Sequence, residues 1–412
     1  MQSLGKWLGI GLALGIAAAL VPVVGGRVDV PALQTVLHKV EPEQLPENPF
    51  EGLELTRMDL HPTRVTAPLP DGKEARLTID PELQRTTLAV MKRFHLPEAG
   101  AVLMDVRTGA LKVYASHVNV GEPFDVNARA EAPAASIFKV VTGAALVELA
   151  GLDAGTEQCY HGGRSRLLPS ELEDDPARDK WCATLATAMG RSLNVVFARL
   201  ARKNLSVEQL TQVAGAFGFG VPVPFEAVNQ ASAIALPEDP VEFARAAAGF
   251  WHTSLSPLAG ASIAQTVASG GVTLKPRIVD QVVSATGEVL FEAPSAPVVL
   301  RRAVRSETAR ELTKMMLQTT KSGSARKTFF DRRGRPFLPN IPVSGKTGTL
   351  TRHKQNRHYT WFVGFAPADD PEVAVAALIV NTPRWRIKGP ELARDVLRAY
   401  FAKQGRAGVS RP

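Results

Sequence analysis

Three short stretches of this chain carry side chains that together could transfer an acyl group to a serine. In chain order they are Ser136-Ile137-Phe138-Lys139, Ser192-Leu193-Asn194 and Lys346-Thr347-Gly348. They supply an acylatable hydroxyl, a lysine able to take its proton, a second hydroxyl with an amide, and a cationic strand. No one of the three is sufficient; the ordered set and its surroundings carry the reading.

Ser136 opens the helical run Ile137–Ala150, so its hydroxyl is expected at the positive end of a helix dipole. Lys139 lies one turn on, on the same face. Burial and a second cation lower a lysine's pKa, and a neutral amine is what a general base requires. Ser136 also suits a plain N-cap, and two other Ser-x-x-Lys spacings occur, at Ser3 with Lys6 and at Ser324 with Lys327. Ser192 can relay a proton between a lysine and a leaving amine. The Asn194 amide can bind a lysine or a substrate carbonyl. Here too the bland reading is a polar helix entry. The third motif sits where a strand is expected. Lys346 and Thr347 can bind a carboxylate there, and Gly348, followed by Thr349, permits close backbone approach. A nucleotide P-loop is the rival, since Gly345-Lys346-Thr347 matches its end. However, position 340 is Asn rather than Gly, and strand-like rather than helical sequence follows.

The elements that must position these groups read as an α+β pattern. Asp80-Pro81 predicts a capped helix start, and Leu83, Leu88, Val90, Met91 and Phe94 form its apolar face. Ala101–Val106 and Ala110–Ala115 predict a hairpin. Residues 136–271 are mostly helical in pattern, and a basic, Pro-containing loop covers 321–342. Three strands are expected over Val343–Leu350, Tyr359–Ala366 and Glu372–Val380, and an amphipathic helix over Gly389–Lys403. The expectation is a five-stranded antiparallel sheet flanked by helices, with a mainly helical subdomain inserted between its two-strand and three-strand units.

Before these elements stands an apolar run from Trp7 to Val24, preceded by Lys6. It is long enough to approach a bilayer span with a cytoplasmic N-terminus. A cleaved signal peptide, with Ala17–Ala19 as its small-residue site, is the alternative. The domain reading is a cytoplasmic tail over 1–6, an anchor over 7–24, a Pro-rich linker or small N-terminal segment over 25–75, a catalytic domain over 76–403 and a flexible tail over 404–412. Cys159 and Cys182 are the chain's two cysteines. Outside the cytoplasm they could bond, closing a loop worth about 3.5 kcal/mol by chain entropy; two separate buried thiols are the alternative.

The 412 residues are 45% hydrophobic with a net charge of +8, which suits a large folded core and disfavours disorder. The basic residues fall in small scattered groups without an aromatic-basic RNA motif or zinc-finger spacing, so no nucleic-acid partner is expected. The eight histidines show no metal-binding spacing. His353 and His358 read as surface residues, and neither a metal nor another cofactor is expected.

The order and context of the three motifs resemble the penicillin-binding protein transpeptidase domain, a family that shares these signatures with serine β-lactamases. The resemblance extends over about residues 76–403. It includes Leu77–Gln84 as domain entry, Ala101–Ser116 as first hairpin, Leu255–Leu258 with Gln265–Gly271 as helical region, and Trp361–Pro367 as the strand after Lys-Thr-Gly. It implies that Ser136 attacks the D-Ala-D-Ala carbonyl of a peptidoglycan stem peptide and Lys139 accepts its proton. Ser192 and Asn194 would shuttle protons and hold substrate, and Lys346 and Thr347 would bind the terminal carboxylate. The backbone N–H groups of Ser136 and Thr349 would form an oxyanion hole. β-Lactams would acylate the same serine, and the domain would face the periplasm from a single-pass inner-membrane anchor. With only the 25–75 segment before it, the domain is expected here without the glycosyltransferase or large pedestal domain that many members of that family carry. Competing readings are a D,D-carboxypeptidase, a β-lactamase of the lysine-dependent type, and a non-catalytic β-lactam sensor or scaffold. Asn194 stands where those β-lactamases carry an apolar residue.

Overall fold

Five strands build a central antiparallel sheet: β1 (Glu98–Asp105), β2 (Leu111–Val118), β3 (Ser344–Arg352), β4 (Arg357–Ala366) and β5 (Val373–Asn381). The computed structural model describes residues 48–412 apart from 120, 164–166, 353–355, 383–384, 407 and 411. In space the strands run β3-β4-β5-β1-β2. The C-terminal three-strand unit therefore docks on the N-terminal hairpin through β5 and β1, with Val375 opposite Leu103. Both faces are covered, which is why β1, β4 and β5 read as near-continuous apolar runs. In β5 the side chains alternate faces: Val373, Val375, Ala377 and Ile379 join one core cluster, and Ala374, Ala376, Leu378 and Val380 join the other.

Helix α1 (Pro81–Arg93) and the C-terminal helix α7 (Gly389–Lys403) cover the first face. Asp80 caps α1 by accepting from the N–H groups of Glu82 and Leu83 at 3.0 and 3.1 Å. The second face meets a helical layer: α2 (Phe138–Glu148), α3 (Leu185–Arg191), α4 (Asn194–Asn204), α5 (Pro257–Ala268) and α6 (Ser306–Lys321). Helix α2 runs through the middle of that layer, buried from Phe138 to Val147. Strand β3 forms one outer edge of the sheet, beside the turn that opens α2.

Three segments depart from the sequence reading. Residues 25–75 were expected as a Pro-rich linker or a small strand-poor segment. Instead, Asp59–Leu60, Val65–Pro68 and Glu74–Leu77 pair with Val279–Val283 and Val289–Glu292 in a second five-stranded sheet. A hairpin of Glu157–Tyr160 and Trp181–Thr184 interrupts the helical layer, with Cys159 directly opposite Cys182 and bonded to it. The tail expected to be free is tied down in part: Arg398 donates to Ser410 Oγ at 2.7 Å, and Arg406 pairs with Glu372. The apolar run Trp7–Val24, the tail before it and linker residues 25–47 lie outside the described residues. Among the described residues no helix is long and apolar enough to cross a membrane.

Candidate active site

The first motif occupies a tight turn of Ala135–Ile137 that runs into α2. Ala135 adopts the left-handed region at φ 51°, a conformation that non-glycine residues enter only when surroundings hold them there. Gly249 is one such surrounding: a Cβ there would stand 2.4 Å from the Ala135 carbonyl oxygen. One helical turn after Ser136, Lys139 is fully buried. Its Nζ lies 3.0 Å from Ser136 Oγ and 2.8 Å from Asn194 Oδ1, and it also donates to the Ala248 carbonyl. Burial, with the neighbouring Lys346 charge second, holds the Lys139 pKa well below that of a free lysine.

The second motif is a junction between helices rather than the interior of one. Ser192 caps α3 in a left-handed conformation (φ 59°, ψ 42°), and Asn194 begins α4. The reversal places the two polar side chains toward different lysines. Asn194 holds Lys139, while Ser192 Oγ accepts from Lys346 Nζ at 2.9 Å.

The third motif lies on the edge strand β3. Lys346 is fully buried, donates also to the Thr347 carbonyl at 2.8 Å, and has its pKa lowered to about 7 by burial. Gly348 packs where a Cβ would come within 3.2 Å of Ile137 Cγ1 and of Trp361 Cβ. Strand and serine-bearing turn thus meet with little clearance. Trp361 Nε1 reinforces the seam by donating to the Pro133 carbonyl at 3.0 Å. Thr347 is half-buried and Thr349 exposed on the same strand.

Folding therefore gathers the five residues into two hydrogen-bonded groups, Ser136-Lys139-Asn194 and Ser192-Lys346, near enough for the Lys346 charge to act on Lys139, with Thr347, Gly348 and Thr349 on the adjoining strand. Several participants were missed in the sequence. The Ala248 carbonyl has no signature in residue type. Ser324, part of a competing Ser-x-x-Lys spacing, lies 2.6 Å from Thr347 Oγ1, whereas Lys327 is exposed on a short helix, Arg326–Phe329. The paired cysteines signalled a loop but not that its hairpin borders Ser192 and Asn194 in one groove. Among the described residues the single group of metal-type donors is Glu157, Cys159 and Cys182, and its two sulfurs are joined in the disulfide.

A serine-lysine pair at the start of a buried helix, facing a lysine-bearing edge strand, defines a serine acyltransferase class of site. Residues 99–399 match the family model for the penicillin binding protein transpeptidase domain, and the chain belongs to that family. It is 29% identical over 283 residues to the peptidoglycan D,D-transpeptidase PbpA of Mycobacterium tuberculosis (strain CDC 1551 / Oshkosh). That match spans 65% of this chain and 54% of the relative, so the chain covers about half the length of the curated relatives it matches. Among solved structures, the D,D-transpeptidase domain of a peptidoglycan glycosyltransferase from Eggerthella lenta superposes with a TM-score of 0.66 at 26% identity. It covers 81% of this chain and 84% of that one. A ceftriaxone acyl-enzyme complex of penicillin-binding protein A from M. tuberculosis shares the fold, with a TM-score of 0.66 at 24% identity, over 81% of this chain and 80% of that one.

Proposed function

We propose that this protein is a D,D-transpeptidase that crosslinks peptidoglycan stem peptides through a Ser136 acyl-enzyme and is inhibited covalently by β-lactams. The observation that carries the reading is the partner set of Lys139. Asn194 Oδ1 and the Ala248 carbonyl can only accept hydrogen bonds, so a neutral amine spends its two N–H groups on them. Its lone pair is then left for the one partner that can donate, the Ser136 hydroxyl. Burial favours that neutral form, so the lysine is arranged to receive a proton.

In this reading Ser136 Oγ attacks the carbonyl between the two D-Ala residues while Lys139 takes its proton. The oxyanion is held by the backbone N–H groups of Ser136 and Thr349. Lys346 and Thr347 hold the terminal carboxylate. Ser192 passes its proton to the departing D-Ala amine as the C–N bond breaks and takes one from Lys346 in its place. An amine of a second stem peptide then attacks the ester and forms the crosslink; its proton returns through Ser192 to Lys346, and Lys139 gives its proton back to the departing Ser136 Oγ. The apolar run Trp7–Val24 and the disulfide support an anchored domain outside the cytoplasm. Its similarity to the peptidoglycan D,D-transpeptidase PbpA favours the same activity.

The test is a fluorescent penicillin followed by mass spectrometry of the adduct over time. Wild type is expected to carry a long-lived adduct on Ser136, and Ser136→Ala none. Equal labelling of the two proteins would remove Ser136 as the nucleophile, and rapid release of hydrolysed drug would favour a β-lactamase.

A further inference from the structure

Beside the reacting groups lies a groove of 440 Å³ whose walls come from two places. One wall is Ser192 and Asn194 with Arg191. The other is the disulfide hairpin, through Tyr160 and Trp181, with Gly163 beneath. Trp181 is 59% exposed, a large apolar surface left uncovered next to a cleft. It sits opposite Tyr160 in the hairpin register, the rings 6.3 Å apart and tilted by 40°.

This wall is held in place from behind. The Cys159–Cys182 bond is the next rung of the same ladder. Arg199, fully buried on α4, donates to the carbonyls of Cys159 and Glu171 at 2.9 and 2.8 Å and forms a bidentate pair with Asp179 at 2.7 and 3.0 Å. The floor is equally tight: a Cβ on Gly163, at φ +67°, would stand 2.5 Å from Val195 Cβ. A groove braced in this way keeps its shape without a ligand, which lowers the ordering cost of binding.

Its chemistry is aromatic on one side and cationic on the other. Among the described residues no acidic side chain lines it. Arg191 is exposed and has no carboxylate partner among the described residues. Asn194 connects the groove to the reacting centre, because its Oδ1 is taken by Lys139 while its amide N–H groups are available to a carbonyl. We propose that this groove is the subsite for the acyl donor's side chain, and that it selects a planar or apolar group against Trp181 with a carboxylate beside it on Arg191. The inference rests on the acyl-enzyme reading above and deepens it.

The test measures acylation rate constants for three penicillins: the bare nucleus without a side chain, one with a phenylacetyl side chain, and one with an α-carboxyphenylacetyl side chain. In Arg191→Gln the ratio of carboxylated to plain phenylacetyl rates is expected to fall about tenfold, an ion pair's worth of selectivity. In Trp181→Ala the ratio of phenylacetyl to bare nucleus is expected to fall by about the same factor, and Trp181→Phe to recover most of it. Ratios unchanged from wild type in either Arg191→Gln or Trp181→Ala overturn the subsite. A wild type that forms no adduct with any of the three instead overturns the acyl-enzyme reading itself.

Discussion

Lys139 and Lys346 are both fully buried with depressed pKa values, yet the proposed chemistry asks opposite things of them. Lys139 must be neutral to accept the Ser136 proton, so acylation is lost as pH falls through its lowered pKa. Lys346 must be charged to hold a carboxylate, so binding weakens as pH rises through about 7. Acylation rate constants for a penicillin, measured from about pH 5 to about pH 10, should therefore trace a bell. An arginine stays protonated across that range. Lys346→Arg is thus expected to flatten the alkaline limb and keep the acid one, because the charge that helps depress Lys139 is still present. An alkaline limb unchanged in Lys346→Arg would show that another group titrates there.

At the scale of elements, reactivity depends on a turn that its own residues do not favour. Ala135 is held at φ 51°, and Gly249, itself at φ +84°, leaves no space for a side chain there: a Cβ would stand 2.4 Å from the Ala135 carbonyl oxygen and 3.0 Å from Ser136 Cα. Gly249→Ala would bring a methyl to 2.4 Å from that oxygen. Either the turn or the segment behind it must shift, and the same segment carries the Ala248 carbonyl bonded to Lys139. The expected result is a loss of about 2 kcal/mol in stability and a drop in labelling by fluorescent penicillin of about tenfold or more. Thermal melts with parallel acylation rates would measure both, and a variant that acylates at the wild-type rate would show that the turn holds without this contact.

The same scale explains what could be read from the chain in advance. Strands β1, β4 and β5 were legible because burial on both faces leaves long apolar runs, and α7 because its apolar face keeps helical spacing. The motifs were legible because acyl transfer demands particular side chains in a particular order. The second sheet was not, since its strands are two to five residues long and its N-terminal part is crowded with prolines. The hairpin at 157–184 was hidden as well, being two four-residue strands inside a helical stretch. It is fixed by long-range partners, Arg199 and the disulfide, rather than by local preference. Ser192 illustrates the limit within a motif: its residue type was readable, its left-handed junction was not.

For the whole molecule, the site is a seam between layers. Ser136, Lys139, Ser192 and Asn194 come from the helical layer and Lys346 from the sheet, so rigidity of both layers sets the geometry. The disulfide hairpin is an appendage to that seam: it lines the groove but supplies none of the reacting groups. Replacing both Cys159 and Cys182 by Ser should therefore separate folding stability from chemistry. The bond closes a loop with a sequence separation of 23, and its loss should cost about 3.5 kcal/mol by chain entropy, lowering the melting temperature by about 5 °C. Labelling of Ser136 by a penicillin without a side chain should persist, because Lys139 keeps Asn194 and the Ala248 carbonyl as partners. Rates for the phenylacetyl penicillin should fall more, because Tyr160 and Trp181 lose the rung that fixes them. An unchanged melting temperature would mean that Arg199 and Asp179 hold the hairpin unaided. Abolished labelling in a folded variant would mean that the hairpin also sets the positions of Ser192 and Asn194, and that the seam includes it.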